Sequence, residues 1–137
     1  MTIPFTGGCH CGIVRYVGTA APELTFYCHC MDCQKECGGP FSVELYLKKS
    51  AVNVEGELSE YDVLSGTGNR VTRKFCTVCG CPVVLESEGY PEYICIKAGS
   101  LDDATWLSPE MHIFTSTKQP WVHISDDLPQ YEGDLEV

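Results

Sequence analysis

The chain has 137 residues, and its 19 Asp and Glu residues outnumber its nine Lys and Arg residues, which gives a formal net charge of -10. Because nucleic-acid binding depends on the neutralisation of phosphates by Lys and Arg, this balance argues against a nucleic-acid partner. The length is typical of one domain, which we predict to span residues 1–137. The first residues lack the basic and apolar regions of a signal peptide, and no apolar run approaches the ~20 residues of a membrane span. We therefore expect a cytoplasmic protein that does not contact membranes.

Short β-strands separated by turns are predicted along most of the chain. In chain order they cover residues 12–18, 24–27, 41–47, 52–54, 61–64, 70–75, 82–85 and 93–97. In the third of these, Phe41, Val43, Leu45 and Leu47 alternate and form one apolar face. A single helical turn is predicted over residues 31–37, ended by glycines and a proline. Seven or eight short strands without a long helical period predict a compact, mainly β domain, with an acidic tail from residue 125 on its surface.

The ten cysteines gather mainly in three short stretches. These are Cys9-His10-Cys11, Cys28-His29-Cys30-Met31-Asp32-Cys33 and Cys76-Thr77-Val78-Cys79. Zinc takes four tetrahedral ligands, and Cys-x-x-Cys spacing wraps a tight turn around one ion. The two thiols of a Cys-x-Cys pair lie too close along the chain for an unstrained mutual disulfide. A disulfide scaffold is the alternative, but the missing signal peptide and the short spacings favour metal ligands.

The order of these motifs resembles that of the glutathione-dependent formaldehyde-activating enzyme family, which also contains centromere protein V. The resemblance covers residues 8 to about 132 and also uses shorter motifs between and after the cysteines. These are Gly39-Pro40-Phe41, Val54-Glu55-Gly56, Phe75 and Gly80 around the third cysteine stretch, Ala98-Gly99-Ser100-Leu101-Asp102-Asp103, His112-Ile113-Phe114 and Lys118-x-Pro120-Trp121. It implies a β-tent-like fold in which short antiparallel strands are clasped by zinc.

The resemblance also implies two zinc ions per chain. Cys9, Cys11, Cys76 and Cys79 would share a structural zinc, whereas Cys28, Cys30 and Cys33 would hold a second zinc of catalytic type. Three protein ligands leave a fourth position for water or a substrate thiolate. The implied activity is that of a carbon–sulfur lyase, which joins or splits a glutathione-like thiol and a small aldehyde such as formaldehyde.

Several residues near the second group leave alternatives open. Cys37 could act as a fourth ligand and make that site structural, or it could form a redox pair with Cys81. Cys81 and Cys95 otherwise have no predicted role, since a buried Cys behaves as a small apolar residue.

The histidines offer candidates for acid–base chemistry. His10 and His29 are each flanked by two cysteines, so we expect their rings to point away from the metal. His29 is nevertheless our candidate for proton transfer. His112 either lines the cleft or packs in the core, and Asp32 either orients a bound water or is a solvated turn residue.

The basic residues bear on the choice of thiol. Gln34 stands where the family often has Arg, which leaves few cations for the two carboxylates of glutathione. The main candidates are Lys35, Lys48, Lys49, Arg70, Arg73, Lys74 and Lys118. The alternative function is a non-catalytic, zinc-stabilised module that holds a partner protein through Trp106 or Trp121. A zinc-ribbon module for nucleic acid is a third option, which the net charge disfavours.

Overall fold

The computed structural model describes residues 2–134, which form ten β-strands, one α-helix and three short 3₁₀ turns. The helix, α1, is Met31–Cys37. The strands in chain order are β1 (Phe5–Gly8), β2 (Arg15–Gly18), β3 (Leu24–Cys28), β4 (Ser42–Lys48), β5 (Val52–Glu55), β6 (Leu58–Leu64), β7 (Arg70–Cys76), β8 (Pro82–Ser87), β9 (Tyr93–Lys97) and β10 (Met111–Ile113).

The strands build two sheets. The small sheet has the order β1-β2-β5, and the large sheet has the order β10-β3-β4-β9-β8-β7-β6. All neighbouring pairs are antiparallel except β10 and β3, which run parallel. The predicted mainly β fold is confirmed. No helix in the described part of the chain is long and apolar enough to cross a membrane.

The differences from the predicted strands have local causes. Strands β1 and β10 were not predicted, because four residues with two glycines and a three-residue strand carry too little pattern. The strand predicted over residues 12–18 begins only at Arg15, since the residues before it form a turn. In that turn the Cys9 N–H donates to the Val14 carbonyl at 3.0 Å.

The main hydrophobic core lies between the two sheets. Phe5, Val14 and Tyr16 from the small-sheet region pack against the side chains of β4, β8 and β9. Within β4, Leu45 and Leu47 face this core. Tyr46 instead packs with Phe26, Cys28 and Cys33 in a second cluster on the opposite face. Strand β4 is therefore buried on both faces, which the alternating pattern alone did not indicate.

Helix α1 follows β3 after only two residues. Cys30 is its N-cap, and the Cys30 Sγ accepts a hydrogen bond from the Cys33 N–H at 3.3 Å. The helix ends at Gly38, which has a φ of 70° and donates its N–H to the Gln34 carbonyl. Glycine adopts this left-handed conformation without steric cost. The strand end and the first helical turn thus bring Cys28, Cys30 and Cys33 together.

Candidate functional site

Four cysteines from two distant turns form the first cluster. Cys9 and Cys11 lie in the turn between β1 and β2, whereas Cys76 ends β7 and Cys79 lies in the turn before β8. Their Sγ atoms are all within 4.8 Å of one another. Backbone N–H groups point at these sulfurs, since Cys76 Sγ accepts from the N–H of Val78 at 3.3 Å and of Cys79 at 3.4 Å. Four converging thiols with N–H donors around them are suited to a closed metal site.

Three cysteines form the second cluster. The Sγ atoms of Cys28, Cys30 and Cys33 also lie within 4.8 Å of one another. Cys28 and Cys33 are buried, and Cys30 is half-buried. Among residues 2–134, no fourth Cys, His, Asp or Glu belongs to this cluster. The three thiols can therefore hold a metal ion with one coordination position left for another molecule.

Proximity makes the three sulfurs alter one another's proton affinity. Contacts with Cys28 and Cys33 hold the pKa of Cys30 far below its ordinary value. Contacts with Cys30 and Cys33, together with burial, raise the pKa of Cys28. One thiolate is therefore favoured, but three thiolates at this distance need a cation to neutralise them. A soft divalent ion such as zinc meets that need, so the donor set fits a metal.

A network of buried charges lies behind Cys33. It contains Glu36 from α1, Glu44 from β4, Arg73 from β7 and Lys97 from β9. The Lys97 Nζ donates to Glu44 Oε1 at 2.8 Å and also contacts the Glu36 carboxylate. Arg73 Nη1 donates to Glu36 Oε1 at 2.7 Å, and both terminal nitrogens of Arg73 are 3.7 Å from Cys33 Sγ. We call these four residues the charge network.

Both cations of the charge network remain protonated. Burial alone would lower the pKa of Lys97, but Glu44, Cys33 and Glu36 raise it above its ordinary value. Burial would likewise lower the pKa of Arg73, but Cys33 and Glu36 raise it. A buried charge needs an ion-pair partner, and each member of the network has one. The Nε of Arg73, by contrast, has no hydrogen-bond partner in the described part of the chain. The network thus places a guanidinium beside the sulfur of Cys33.

The second cluster opens into a small cavity, and a larger groove adjoins it. The cavity has a volume of about 120 Å³ and is lined by Cys28, Cys30 and Cys33. The groove has a volume of about 600 Å³ and lies between α1 and strands β6 and β7. Asp32 and Arg73 line both spaces. The three-cysteine cluster is therefore accessible from a space large enough for a small organic molecule.

Comparisons with known proteins agree with this geometry. The sequence pattern of the family described as "Glutathione-dependent formaldehyde-activating enzyme" matches residues 4–117. The chain belongs to this family. A relative from Halomonas elongata, named "Putative glutathione-dependent formaldehyde-activating enzyme", is 29% identical over 127 residues, which cover 86% of this chain and 79% of the relative. A crystal structure of a Rhodobacter sphaeroides protein has a similar fold, with a TM-score of 0.55 and 23% identity over 76% of this chain and 91% of that one.

His29, the candidate for proton transfer, lies in a chain of hydrogen bonds that extends away from the thiols. Its ring is completely buried, and its Nε2 is 2.9 Å from Nδ1 of His112. His112 Nε2 is in turn 3.0 Å from the Asp126 carboxylate. Burial, and then the charges of His112 and Lys118, lower the pKa of His29 to about 4.

The other ring nitrogen of His29 has no such contact. His29 Nδ1 is buried and has no hydrogen-bond partner in the described part of the chain. His29 does not line the cavity, whereas Asp32 does. Proton transfer by His29 stays a prediction.

Gln34 makes three side-chain hydrogen bonds within the protein. Its Nε2 donates to the His29 carbonyl at 2.8 Å and to the Thr117 carbonyl at 3.1 Å. Its Oε1 accepts from Gln119 Nε2 at 2.8 Å. Gln34 therefore attaches α1 to the segment after β10.

Most of the predicted substrate cations are occupied by other partners. Lys118 donates to the carbonyls of Gln119 and Val122. Ion pairs join Lys49 to Glu86, Arg70 to Glu88, and Lys74 to Glu60 and Glu86. Arg73 belongs to the charge network. Within residues 2–134, Lys35, Lys48 and Lys118 have no ion-pair partner, and Lys35 and Lys48 also have no side-chain hydrogen bond. Of these three, Lys35 lines the groove.

The remaining cysteines lie outside both clusters. Cys37 is exposed, and its Sγ is 3.3 Å from the Phe41 carbonyl. The structure therefore does not bring Cys37 into the second cluster as a fourth ligand. Cys37 and Cys81 are free thiols that line a separate depression of the surface, outside the groove between α1 and strands β6 and β7. The half-buried Cys95 lines the cavity. Of the two tryptophans, Trp106 packs against Phe5, whereas Trp121 is exposed.

Proposed function

We propose that the chain is a zinc-dependent carbon–sulfur lyase that joins and splits a glutathione-like thiol and a small aldehyde such as formaldehyde. The observation that carries this proposal is the cluster of Cys28, Cys30 and Cys33, which lines a cavity and has no fourth ligand among the described residues. Membership of the family supports the choice of glutathione and formaldehyde. Two zinc ions per chain, one in each cysteine cluster, complete the proposal.

In the forward direction the thiol sulfur bonds to the carbonyl carbon, and the thiol proton moves to the carbonyl oxygen, which gives an S-hydroxymethyl adduct. The reverse direction breaks the same carbon–sulfur bond. A zinc ion held by the three cysteines would lower the pKa of a thiol that binds to it.

The residues of the chain have three tasks in this reaction. Cys28, Cys30 and Cys33 hold the metal. Arg73 donates hydrogen bonds towards Cys33 and restrains that ligand, as groups around a metal ligand generally do. The small cavity leaves room beside the sulfurs for a small aldehyde. A chemistry based on reduced thiols suits the cytoplasmic location, which stays a prediction.

The test compares two cysteine variants of the purified protein. Cys30→Ser removes one member of the second cluster, whereas Cys37→Ser removes an exposed thiol outside it. The measurements are zinc per chain by native mass spectrometry, with and without glutathione, and the exchange rate between formaldehyde and its glutathione adduct.

We expect two zinc ions in the wild type and in Cys37→Ser, and exchange above the uncatalysed background for both. Cys30→Ser should lose about one zinc and the catalysed exchange. Wild-type exchange at the background rate, with two zinc ions that are indifferent to thiol, would contradict the proposal and favour a non-catalytic zinc module.

A further inference from the structure

The cavity at the three cysteines is small for a whole peptide thiol. Sites for drug-sized ligands have volumes of about 300–1,000 Å³, whereas this cavity measures about 120 Å³. It accommodates a sulfur and a small aldehyde, so the rest of a larger thiol must lie elsewhere. The adjoining groove of about 600 Å³ shares Asp32 and Arg73 with the cavity and has the required size.

The strand side of the groove combines apolar residues with Glu60 and Arg73, and the helix side is charged. Strands β6 and β7 contribute Tyr61, Val63 and Phe75, and α1 contributes Asp32 and Lys35. The methylene groups of a peptide thiol can pack against the apolar side chains of the strands, while α1 offers the charged side chains of Asp32 and Lys35.

Two of the charges on the helix side of the groove are available to a ligand. Glu36 on α1 is held by Arg73 and Lys97, and Glu60 on β6 is held by Lys74. Asp32 and Lys35, by contrast, have no ion-pair partner among residues 2–134. They are three positions apart on α1, where side chains are neighbours about 5–6 Å apart. One free carboxylate beside one free ammonium complements the ammonium and the carboxylate of an amino-acid zwitterion.

We propose that this groove binds the amino-acid end of a zwitterionic peptide thiol, with its carboxylate at Lys35 and its ammonium at Asp32. The sulfur then enters the cavity past Arg73. This inference rests on the proposed function for the fate of the sulfur. It also identifies Lys35 and Asp32 as the residues that make the protein prefer a peptide thiol to a small thiol without a zwitterion.

Two pairs of variants test the groove. Lys35→Glu reverses the free cation, and Lys48→Glu makes the same charge change at an exposed site outside the groove. Val63→Trp fills the groove, and Leu64→Trp places the same ring on the next residue of β6, which is exposed and does not line the groove. Each variant is assayed with formaldehyde and either glutathione or 2-mercaptoethanol, which has no zwitterion.

Lys35→Glu should raise the KM for glutathione about three- to tenfold, as expected for an exposed ion pair turned into a repulsion. Val63→Trp should raise the same KM. Neither variant should change the kinetics with 2-mercaptoethanol, and the two control variants should match the wild type with both thiols. Equal effects on both thiols, or no effect on glutathione, would overturn the proposal.

A binding experiment separates this proposal from the proposed function. S-methylglutathione keeps the zwitterion but has no free thiol, so its binding by calorimetry does not depend on the chemistry. We expect it to bind the wild type and Lys48→Glu alike and Lys35→Glu more weakly, even if no thiol supports catalysis. Equal binding to Lys35→Glu and the wild type, or no binding to either, would refute the groove as the site.

Discussion

Replacement of Lys97 by Met tests the charge network most directly. Met has nearly the shape of the lysine stem but no charge. Lys97 Nζ donates to Glu44 Oε1 at 2.8 Å and to Ser42 Oγ at 3.0 Å, and it also contacts Glu36. In the variant, Arg73 still neutralises Glu36, so the group left without its cation is the buried Glu44. Removal of one partner from a buried ion pair costs about 3–5 kcal/mol.

Because one carboxylate rather than two loses its cation, we expect Lys97→Met to lower the free energy of unfolding by about 3 kcal/mol. For a chain of this size that corresponds to a decrease in Tm of about 10 °C. The assay is urea unfolding at pH 7 with both metal sites saturated, together with zinc content to show that the folded state keeps its metals. The double variant Lys97→Met/Glu44→Gln should recover part of the loss, since it removes the unpaired charge.

The pH dependence of Lys97→Met gives an independent check. Burial raises the pKa of Glu44 already in the wild type, and without Lys97 this effect is opposed only by the charge of Arg73. The folded variant therefore takes up a proton more readily than the unfolded chain, and its stability rises as the pH falls. The gap to the wild type should narrow between pH 8 and 6. A loss below about 1 kcal/mol, equal at both pH values, would refute the buried ion pair.

Three further predictions concern other parts of the fold. Cys76→Ser should remove a metal worth on the order of 10 kcal/mol in zinc-finger peptides and give unfolded protein; soluble, folded protein with unchanged zinc content would contradict this. Leu45→Ala, at a completely buried site, should lower the free energy of urea unfolding by about 2–5 kcal/mol, and a loss below that range would show that the core is not packed there. Hydrogen bonds from Arg15 and Thr6 lower the pKa of Asp102 to about 2, so its carboxylate stabilises the fold above its unfolded pKa of about 3.9 and that contribution is lost as the pH falls. Asp102→Asn should be slightly less stable than the wild type at pH 7, with a difference that shrinks towards pH 3 and an upper limit of about 1 kcal/mol because the pair is half exposed; a difference that does not change with pH would contradict the assignment.

The strands could be predicted because their signals are local. Alternation, β-branched residues and glycine-bounded turns located eight of the ten strands, and the glycines after Cys37 located the end of α1. The arrangement of the strands depends on partners that no local pattern specifies. The parallel pairing of β10 with β3 brings Ile113 opposite Cys28 across 85 positions of sequence.

The grouping of the cysteines shows the same limit. Spacing separated three stretches, but the assignment of the first and third to one site came from the resemblance to the family. In the structure, Cys11 Sγ is 3.7 Å from Cys76 Sγ although the two residues are 65 positions apart. The contact exists because the β1–β2 turn lies beside the β7–β8 turn, which is a property of the packed sheets.

The charge network was missed because a buried charge is recognised only through its partners. Glu44 alternates with Val43 and Leu45, which is typical of a strand with one solvated face. Lys97 ends the apolar run of β9 and resembles a residue that leaves the sheet. One signal was present. Ser42 and Glu44 share a face of β4 with Tyr46, and the helix that follows Cys28 must pack over one face of the sheet. That signal becomes decisive only when α1 is known to pack over β4.

The network bears on the proposed reaction through its total charge. Of nine basic residues, two lie buried beside Cys33, in a chain with 19 acidic ones. Their two positive charges offset Glu36 and Glu44, so the network as a whole is neutral. Under the proposed function, a divalent ion on three thiolates would keep one negative charge, towards which Arg73 donates from both terminal nitrogens. That negative charge would weaken the hold on an anionic thiol, which a reversible carbon–sulfur reaction requires. Selectivity for the thiol must then come from contacts away from the sulfur, and Lys35 and Asp32 in the groove are placed to provide them.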